Sequence, residues 1–520
     1  MYTTAFALII VSLSLAIAYY IKKFNYWKNR NVRGPQPIPF IGNFGKVMMT
    51  QESVTMLCQK LYAQYPNEKA VGIYSGSVPM LILRDPEMIK EVLIKNFGHF
   101  SDRGTRVTNE PLSDNLFNAE VDSWRKLRQG FTPMFSSGKL KSMSPLIQTC
   151  VDEFQTHVDK LADENVPQEM RSLMAKYTLE VIGSCAFGLK LGALTNEENY
   201  FREIAETIFK PRLKSIIWRG INVIIPGIIR FLNITITNTQ VTTFFQDLVK
   251  KVVKEREEKH SQRKDFMDLL IELRERSNLN EQSEDSPLTL KITDNVMAAQ
   301  ALVFYAAGFE TSSASMSFLL YELALNQEIQ DKVFKDIDSA IKKHGGIFYD
   351  SVCDMSYLEM AFDEILRKHP PGGVLIRKCV DDYTFSNCKL KIDKHVRVLI
   401  PVFGIHHDAQ FYENPEEFNP ERFSNENKRN IHPCTFLPFG DGPRNCIGMR
   451  FAKVESMMGL AGFLHKYKVE PCDRTKVPLR YETTSLTLKS KDDIWLNIIS
   501  KPVITKRKVI FNFLFYSKKS

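Results

Sequence analysis

The chain has 520 residues, of which 44% are hydrophobic and 25% are charged, so it is long enough to bury a large core and ordinary for a globular protein. Its formal net charge of +9 suits an anionic membrane surface or an acidic partner, whereas no run of lysine and arginine is dense enough to favour nucleic acid. The nine cysteines form no CxxC pair and show no zinc spacing, which argues against a disulfide framework and a structural zinc site and favours a reducing compartment.

The N-terminal segment predicts a membrane anchor. Thr3 to Ile21 is uncharged and mostly apolar, which matches the roughly 20 residues that a helix needs to cross a bilayer. Basic residues follow this stretch and none precedes it, which places the rest of the chain in the cytosol. A cleaved signal peptide is the alternative, because Ala16-Ile17-Ala18 resembles a cleavage site, but the charges lie on the wrong side. We expect a transmembrane signal-anchor over residues 1–22 and a basic, proline-rich linker over residues 23–40.

The rest of the chain shows no internal boundary and predicts one catalytic domain over residues 41–500. Strand patterns occur at Val71–Tyr74 and Met80–Leu83, and helical spacing dominates from about residue 85. A long helix is predicted from Asp294 to Leu325, with Thr293 or Asp294 as its N-cap. Residues 380–415 return to strands and turns, and a last helix follows Cys446 to about Lys466. The fold class is therefore mainly α with a smaller β region.

Two further segments leave alternatives open. Ile221–Leu232 is strongly apolar and is broken by Pro226-Gly227, so it either dips into a bilayer or belongs to the core. Residues 501–520 are basic and aromatic, and this tail either touches a membrane surface or is a disordered or aberrant extension.

The most informative motif is the stretch that runs from Phe439 to Gly448, FGDGPRNCIG. A cysteine in a glycine-rich turn before a helix receives backbone N–H groups and the positive end of the helix dipole, which we expect to lower its pKa. Gly442 and Gly448 permit tight backbone geometry beside a flat cofactor, Phe439 can shield the sulfur, and Arg444 can bind an acidic group of that cofactor. Read alone, a free cysteine is more often an inert core residue.

This pattern resembles the haem loop of the cytochrome P-450 superfamily, and the closest branch is clan three, within it the insect six-family of microsomal enzymes. The resemblance implies a cytochrome P-450 fold, haem b (iron protoporphyrin IX) as cofactor, and Cys446 as the axial ligand of the haem iron. Trp124 and Arg128 match W-x-x-x-R and lie on one helix face, so they are expected to bind a haem propionate, as are Arg377 and Arg444.

Two other motifs follow the same family pattern. Glu364 and Arg367 match E-x-x-R, and with Arg422 they are expected to form a buried structural triad. Ala307-Gly308-Phe309-Glu310-Thr311-Ser312 resembles the oxygen-activation motif, in which Gly308 leaves space for dioxygen, Thr311 donates a hydrogen bond and Glu310 feeds protons. Glu310 and Thr311 are therefore the expected catalytic residues.

The resemblance implies a monooxygenase that inserts one oxygen atom from O2 into lipophilic substrates such as plant toxins, insecticides, hormones or lipids. No dinucleotide-binding motif is present, so NADPH acts only indirectly, through an NADPH–cytochrome P-450 reductase in the endoplasmic reticulum membrane, with cytochrome b5 as a second acidic partner. Docking cations are expected at Lys126, Arg128 and Lys453. The expected substrate contacts are Phe117, Phe304, Ala307, Val374, Leu375, Ser485 and Leu486.

Two departures from the family pattern and two rival functions complete the interpretation. Gly372-Gly373 stands where bulkier residues are usual, which is expected to loosen one pocket wall, and the tail extends past the usual end. The rivals are a haem-thiolate isomerase or dehydratase and a non-catalytic haem-binding protein. Such isomerases usually lose the acid–alcohol pair, so Glu310 and Thr311 argue against the first.

Overall fold

The computed structural model describes residues 2–195, 200–210, 212–259, 265–280, 291–485 and 487–501. In these ranges the α-helices are α1 (Tyr2–Lys28), α2 (Gly45–Met48), α3 (Val54–Gln64), α4 (Pro86–Lys90), α5 (Val121–Phe131), α6 (Ser137–Asp163), α7 (Met170–Ile182), α8 (Tyr200–Phe209), α9 (Leu213–Ile224), α10 (Ile228–Phe231), α11 (Thr239–Lys259), α12 (Phe266–Asn280), α13 (Asp294–Leu325), α14 (Gln327–His344), α15 (Tyr349–Cys353), α16 (Ser356–Lys368), α17 (Val402–His406) and α18 (Met449–Lys466). The strands are β1 (Ala70–Ser75), β2 (Val78–Leu83), β3 (Gln168–Glu169), β4 (Leu375–Lys378), β5 (Tyr383–Thr384), β6 (Lys391–Ile392), β7 (Arg397–Ile400), β8 (Tyr467–Pro471) and β9 (Trp495–Ser500).

The prediction of a mainly α fold with a smaller β region is confirmed. Helix α13 has the predicted bounds, and the Thr293 hydroxyl caps it by accepting the Val296 N–H at 3.3 Å. The two early strand predictions fall within β1 and β2, and the last helix is α18. The prediction of strands and turns alone over residues 380–415 is wrong at one place, because α17 forms directly after Pro401.

The largest sheet has the strand order β1-β2-β7-β4. Strands β1 and β2 form an antiparallel hairpin, β7 runs parallel to β2, and β4 pairs antiparallel with β7, with Arg377 opposite Val398. The smaller sheets are β3-β9-β8 and β5-β6. The largest sheet therefore fixes the position of β4, which carries one of the predicted cofactor-binding arginines.

Helix α13 is the centre of the helical core. It is buried along most of its length and packs against α7, α11, α16 and α18. The Ser312 hydroxyl of α13 donates to the Glu455 carboxylate of α18 at 3.4 Å. Because α18 begins three residues after Cys446, this contact places the oxygen-activation motif beside the helix that the cysteine loop introduces.

The apolar segment Ile221–Leu232 lies at the surface. None of the residues of α9 is buried, and Ile225, Phe231 and Leu232 are exposed, whereas Ile229 of α10 is fully buried. The core alternative is therefore wrong for most of the segment. Gly227, at φ +88°, makes the turn between α9 and α10.

Among the residues that the structure describes, no helix combines the length and the apolar character needed to cross a bilayer.

Candidate active site

The cysteine loop is a tightly bonded turn. The Cys446 N–H donates to the Phe439 carbonyl at 2.8 Å, and the Asn445 N–H donates to the Gly442 carbonyl at 3.0 Å. Gly440 and Gly442 both have φ near +70°, a backbone region that favours glycine. A Cβ atom on Gly442 would also collide with the Leu93 carbonyl oxygen. The glycine at 442 is thus required twice, by its backbone angle and by the close approach of another chain segment.

The Cys446 side chain faces an internal space. It has exposed surface although protein atoms surround it, and this combination indicates a cavity rather than bulk solvent. Burial raises the pKa of the Cys446 thiol, against the opposing effects of the Gly448 N–H and the charges of Arg103 and Arg128. The expectation of a lowered pKa is therefore wrong for the thiol itself, because burial outweighs the N–H groups. A metal ion is the group that would deprotonate such a thiol outright.

Four arginines surround the Cys446 loop and form what we call the arginine cluster: Arg103, Arg128, Arg377 and Arg444. Burial, then the neighbouring charges of the cluster, lower the pKa of Arg444 to about 9. The same causes lower the pKa of Arg377 to about 9, while burial and Arg128 lower that of Arg103 to about 10. Asp102 acts on Arg444 but is itself ion-paired with Lys378 at 2.5 Å. The cluster is therefore an excess of buried positive charge.

The arginine cluster also has unused hydrogen-bond donors. Among the described residues, Nε of Arg377 and both Nε and Nη1 of Arg444 are buried without a partner. Buried donors are costly unless something accepts from them, and guanidinium groups pair best with carboxylates. The two propionates of haem are such carboxylates, and Cys446 can supply the thiolate. The residues present thus fit the cofactor that the resemblance implies.

The remaining predicted cofactor residues brace this cluster. The Arg444 guanidinium stacks on the Trp124 ring at 4.2 Å. Arg128 donates to the Asn445 carbonyl and side-chain oxygens at 2.7 and 2.6 Å, so its guanidinium holds the cysteine loop directly. A Cβ atom on Gly448 would lie 3.8 Å from the Phe135 ring. These contacts bring α5 and the cysteine loop together; propionate binding by Trp124 and Arg128 stays a prediction.

On α13, the predicted acid is buried and paired. Glu310 is 1% exposed and receives Nη2 of Arg171, from α7, at 2.6 Å to each carboxylate oxygen. The Thr487 hydroxyl approaches one of these oxygens at 3.5 Å. The Thr311 hydroxyl donates to the Ala307 carbonyl at 2.7 Å, one turn earlier. Glu310 is therefore fixed by an ion pair rather than free at a surface.

The glycine of the oxygen-activation motif has a packing role. A Cβ atom on Gly308 would collide with the Ile182 side chain of α7. The expectation that Gly308 opens space for dioxygen is wrong, because its empty side is filled by Ile182. Its neighbour Ala307 is exposed although Phe309 and Glu310 beside it are buried, which indicates that α13 turns Ala307 toward a cavity.

The predicted structural triad forms one network, in which Glu364 and Arg367 are fully buried and Arg422 is largely buried. Arg367 donates two hydrogen bonds to Glu364, at 2.7 and 2.9 Å, and Nε of Arg422 lies 3.4 Å from the same carboxylate. Arg367 also donates to the His406 carbonyl at 2.8 Å and the Glu417 carbonyl at 3.2 Å. Glu364 and Arg367 are thus satisfied within the protein, whereas among the described residues Nε of Arg422 has only the ionic contact with Glu364 and no hydrogen bond.

The predicted substrate contacts come from several segments. Gln300 of α13 accepts the Leu116 N–H and donates to the Asp114 carbonyl, both at 2.8 Å, which holds the segment of Phe117 against α13. Phe117 is 49% exposed and lies under the Arg103 guanidinium at 4.3 Å. Half-buried side chains, with room to meet a ligand, are found at Val374, Leu375 and Ser485, while Leu486 lies outside the described residues.

Phe304 has a different environment. Its ring lies among those of Phe131, Phe135 and Phe266, with centroids at 5.6, 5.8 and 4.1 Å. This aromatic group joins α5, α12 and α13. Phe304 therefore contributes to core packing, and substrate contact by it stays a prediction.

A polar cavity of about 690 Å³ adjoins the outer side of the arginine cluster. Its lining includes Asp102, Arg106, Glu120, Lys378 and Arg397, and does not include Cys446 or Thr311. Because this lining is charged, the cavity does not suit a lipophilic substrate.

The predicted docking cations differ in their availability. Lys453 is ion-paired with Asp363 at 2.7 Å and Glu359 at 3.0 Å, so its charge is neutralised within the protein. Lys126 is half-buried on α5.

Sequence reasoning missed two residues of the candidate site. Arg103 donates to the Arg444 carbonyl at 3.0 Å and to the Phe117 carbonyl at 3.1 Å, and so completes the arginine cluster. Arg171 is the partner of Glu310. Neither residue stands in a spaced motif; a signal for Arg171 was the need of a buried acid for an opposite charge.

Comparisons of the sequence with known proteins identify a family and several relatives. A family model described as Cytochrome P450 matches residues 32–497. Cytochrome P450 6B2 of Helicoverpa armigera is 41% identical over 497 residues, which cover 95% of this chain and 98% of that protein. Cytochrome P450 6B1 of Papilio polyxenes is 39% identical over 501 residues, 95% of this chain and 99% of that protein. Probable cytochrome P450 6a14 of Drosophila melanogaster is 38% identical over 502 residues, 95% of this chain and 98% of that protein.

Proposed function

The chain belongs to the cytochrome P-450 family, and from this premise we propose that it oxidises lipophilic small molecules with electrons from an NADPH-dependent reductase. As a member of this family it is a cytochrome P-450 monooxygenase. One observation carries the proposal furthest: the arginine cluster beside Cys446 leaves buried N–H donors without a partner. Such donors suit an anionic cofactor held next to a thiol.

The proposed cofactor is haem b. Arg103, Arg377 and Arg444 would bind its propionates, with Trp124 stacked behind Arg444. Cys446 would be the axial ligand of the iron. When bound, haem supplies the iron at which dioxygen is activated, and a thiolate ligand favours O–O cleavage.

The protein supplies the protons and the positioning. Glu310 and Thr311 are proposed to deliver protons to the reaction centre, because Ala307–Ser312 resembles the oxygen-activation motif of the family, in which the acid and the hydroxyl have this role. The ion pair with Arg171 holds the Glu310 carboxylate in one orientation. Burial of α13 on both sides of the motif limits access of bulk water to this pair.

The proposed substrates are apolar, and they are either xenobiotics such as plant toxins and insecticides or endogenous lipids and hormones. Ala307, Val374 and Leu375 would contact them, because these apolar side chains have accessible surface in an otherwise buried region. The likeness to cytochromes P450 6B2 and 6B1, from Helicoverpa armigera and Papilio polyxenes, supports an oxidative role for this chain.

The proposed location is the endoplasmic reticulum membrane, with the catalytic domain in the cytosol. Helix α1 would be the single-pass anchor, and exposed apolar residues of the α9–α10 segment would touch the bilayer. NADPH–cytochrome P-450 reductase and cytochrome b5 are the proposed electron donors. Of the predicted docking cations, Lys126 is the one proposed to contact them, since Lys453 is already paired.

The test is the carbon monoxide difference spectrum of the reduced full chain. The strongly red-shifted band of thiolate-ligated haem is expected, and Cys446→Ser is expected to abolish it. Cys434→Ser is the matched control, because Cys434 is buried in the same connection twelve residues earlier and is expected to leave the band unchanged. A folded protein without haem, or a band that survives Cys446→Ser, would overturn the proposal.

A further inference from the structure

One buried histidine joins three of the segments expected to line the substrate pocket. His369 follows α16 and is 4% exposed, and the segment after it carries Val374 and Leu375. Its Nδ1 lies 2.9 Å from the Tyr481 hydroxyl, in the chain segment that leads to Ser485. Its Nε2 lies 3.1 Å from the Glu322 carboxylate of α13. A single imidazole ring is thus the link between α13 and two other pocket walls.

The protonation states of the three residues decide which atom donates in each hydrogen bond. Burial, then the charge of Glu322, raise the pKa of Tyr481, so the phenol keeps its proton and donates to Nδ1 of His369. Burial lowers the pKa of His369, so the neutral ring carries its one proton on Nε2 and donates it to Glu322. Burial alone would raise the pKa of Glu322, but the bond from His369 and the charge of Lys368, 2.8 Å away, bring it below its usual range. Tyr481, His369 and Glu322 therefore form an ordered donor–acceptor chain.

Packing leaves the imidazole ring little freedom. It stacks on Phe318 of α13 with ring centroids 4.5 Å apart and planes 8° apart. The backbone on each side is tied as well, since the Leu488 N–H donates to the Pro371 carbonyl at 2.9 Å and the Phe403 N–H to the Gly373 carbonyl at 3.0 Å. A shift of one pocket wall must therefore displace the other walls or break the hydrogen bonds that join them.

We propose that Glu322, His369 and Tyr481 are positioning residues that fix the separation of three pocket walls and thereby select which ligands fit beside the haem. This rests on the proposed haem-thiolate function and deepens it. The chain acts on the walls and not on the iron, so it discriminates between large and small ligands without altering ligation by Cys446.

The test compares two nitrogen ligands of the haem iron by spectral titration of the haem-loaded full chain. Imidazole is small enough to reach the iron with little wall contact, whereas 4-phenylimidazole must fit between the walls. Tyr481→Phe and His369→Leu are expected to weaken 4-phenylimidazole binding by about fivefold or more, the effect of one lost buried hydrogen bond, while imidazole changes by less than about twofold. His369→Gln retains a donor and an acceptor, so it is expected to recover part of the lost affinity.

Tyr321→Phe is the matched control. Tyr321 is adjacent to Glu322 and buried, but its hydroxyl donates to the Lys476 carbonyl at 3.0 Å instead of to His369. It is expected to leave both affinities unchanged. Equal weakening of both ligands, no change in Tyr481→Phe, or an equal effect of Tyr321→Phe would overturn the inference. Failure of the wild-type protein to show the thiolate band would instead count against the proposed function, so the two failures are distinguishable.

Discussion

Two buried charge clusters of this protein have opposite compositions. The triad of Glu364, Arg367 and Arg422 pairs its charges within about 3.5 Å, and backbone carbonyls accept from the other donors of Arg367. The arginine cluster holds four like charges, and in the described residues Arg377 and Arg444 keep N–H groups without an acceptor. The first cluster contains its own counter-charge, the Glu364 carboxylate, whereas the second has no carboxylate within it, as expected of a site proposed to bind an anion.

This difference separates a structural role from a binding role. Removing one member of a balanced buried cluster leaves an uncompensated charge, which destabilises the folded protein. Removing one member of a like-charged cluster relieves repulsion and weakens only the binding of the anion. Substitutions in the two clusters, and then at other charged residues, test this contrast, and the largest effect is expected in the triad.

Glu364→Ala is expected to lower the free energy of unfolding by about 3–5 kcal/mol, because two buried guanidinium groups lose their carboxylate. Denaturant unfolding monitored by circular dichroism measures the change. Glu421→Ala is the control, since its pair with Lys332 at 3.3 Å is exposed and is worth about 0–1 kcal/mol. Similar losses in the two variants would contradict the structural role of the triad.

Arg377→Gln is expected to have opposite effects on cofactor retention and on the apoprotein. Haem transfer to an apo-globin acceptor should accelerate on the order of tenfold or more, because a charge-assisted hydrogen bond to the cofactor is lost. The apoprotein should unfold at the same or a higher denaturant concentration, since one of four repelling charges is gone. If Arg377→Gln destabilised the apoprotein as strongly as Glu364→Ala does, Arg377 would have a structural role and not a binding role.

Glu310→Gln is expected to lower product formed per NADPH consumed, and to lower turnover by about 100-fold, because the proposed proton donor loses its ionisable group. The carbon monoxide band should stay unchanged. Thr487→Val removes the 3.5 Å contact to Glu310 and a 3.2 Å contact to the Ser485 hydroxyl, and should change turnover by less than about threefold, a loss comparable to a weak hydrogen bond. An unchanged turnover in Glu310→Gln would exclude Glu310 from proton delivery.

Lys126→Ala is expected to have the smallest effect, a rise of about two- to threefold in the KM for the reductase at low ionic strength that disappears in high salt. Lys453→Ala is the comparison, because its charge is already neutralised by Asp363 and Glu359. The KM for the reductase should be unchanged in that variant. Equal rises in both would mean that pairing within the protein does not remove a lysine from the docking surface.

The elements that were predicted correctly have strong local signals. Helix α13 combines an uncharged run with a Thr N-cap, and β1 and β2 are short apolar runs bounded by turn residues. The family and the insect six-family branch were also predicted correctly from motifs in order along the chain, as the relatives confirm. Short α17 was missed because five residues carry too little periodicity to distinguish a helix from a turn.

The errors in the site have a different cause, since each depends on a distant contact. Spacing identified Gly308 as special, but only the fold shows that Ile182 fills the space beside it. The turn before α18 correctly suggested N–H groups around Cys446, but the sequence does not show how deeply the thiol is buried, which reverses the expected pKa shift. Arg103 stands in an irregular segment, where a single arginine gives no pattern.

The contact between Arg103 and Arg444 also constrains biosynthesis. The two residues are 341 positions apart in the chain. At about 5–20 residues per second, a ribosome needs roughly 20–70 s between them, so the arginine cluster assembles only when most of the chain has been made. During that interval the early arginines are not yet held together, and their mutual repulsion is absent. If the cluster binds haem as proposed, haem capture would be a late event that closes folding rather than one that starts it, and the supply of haem would act on a nearly finished protein.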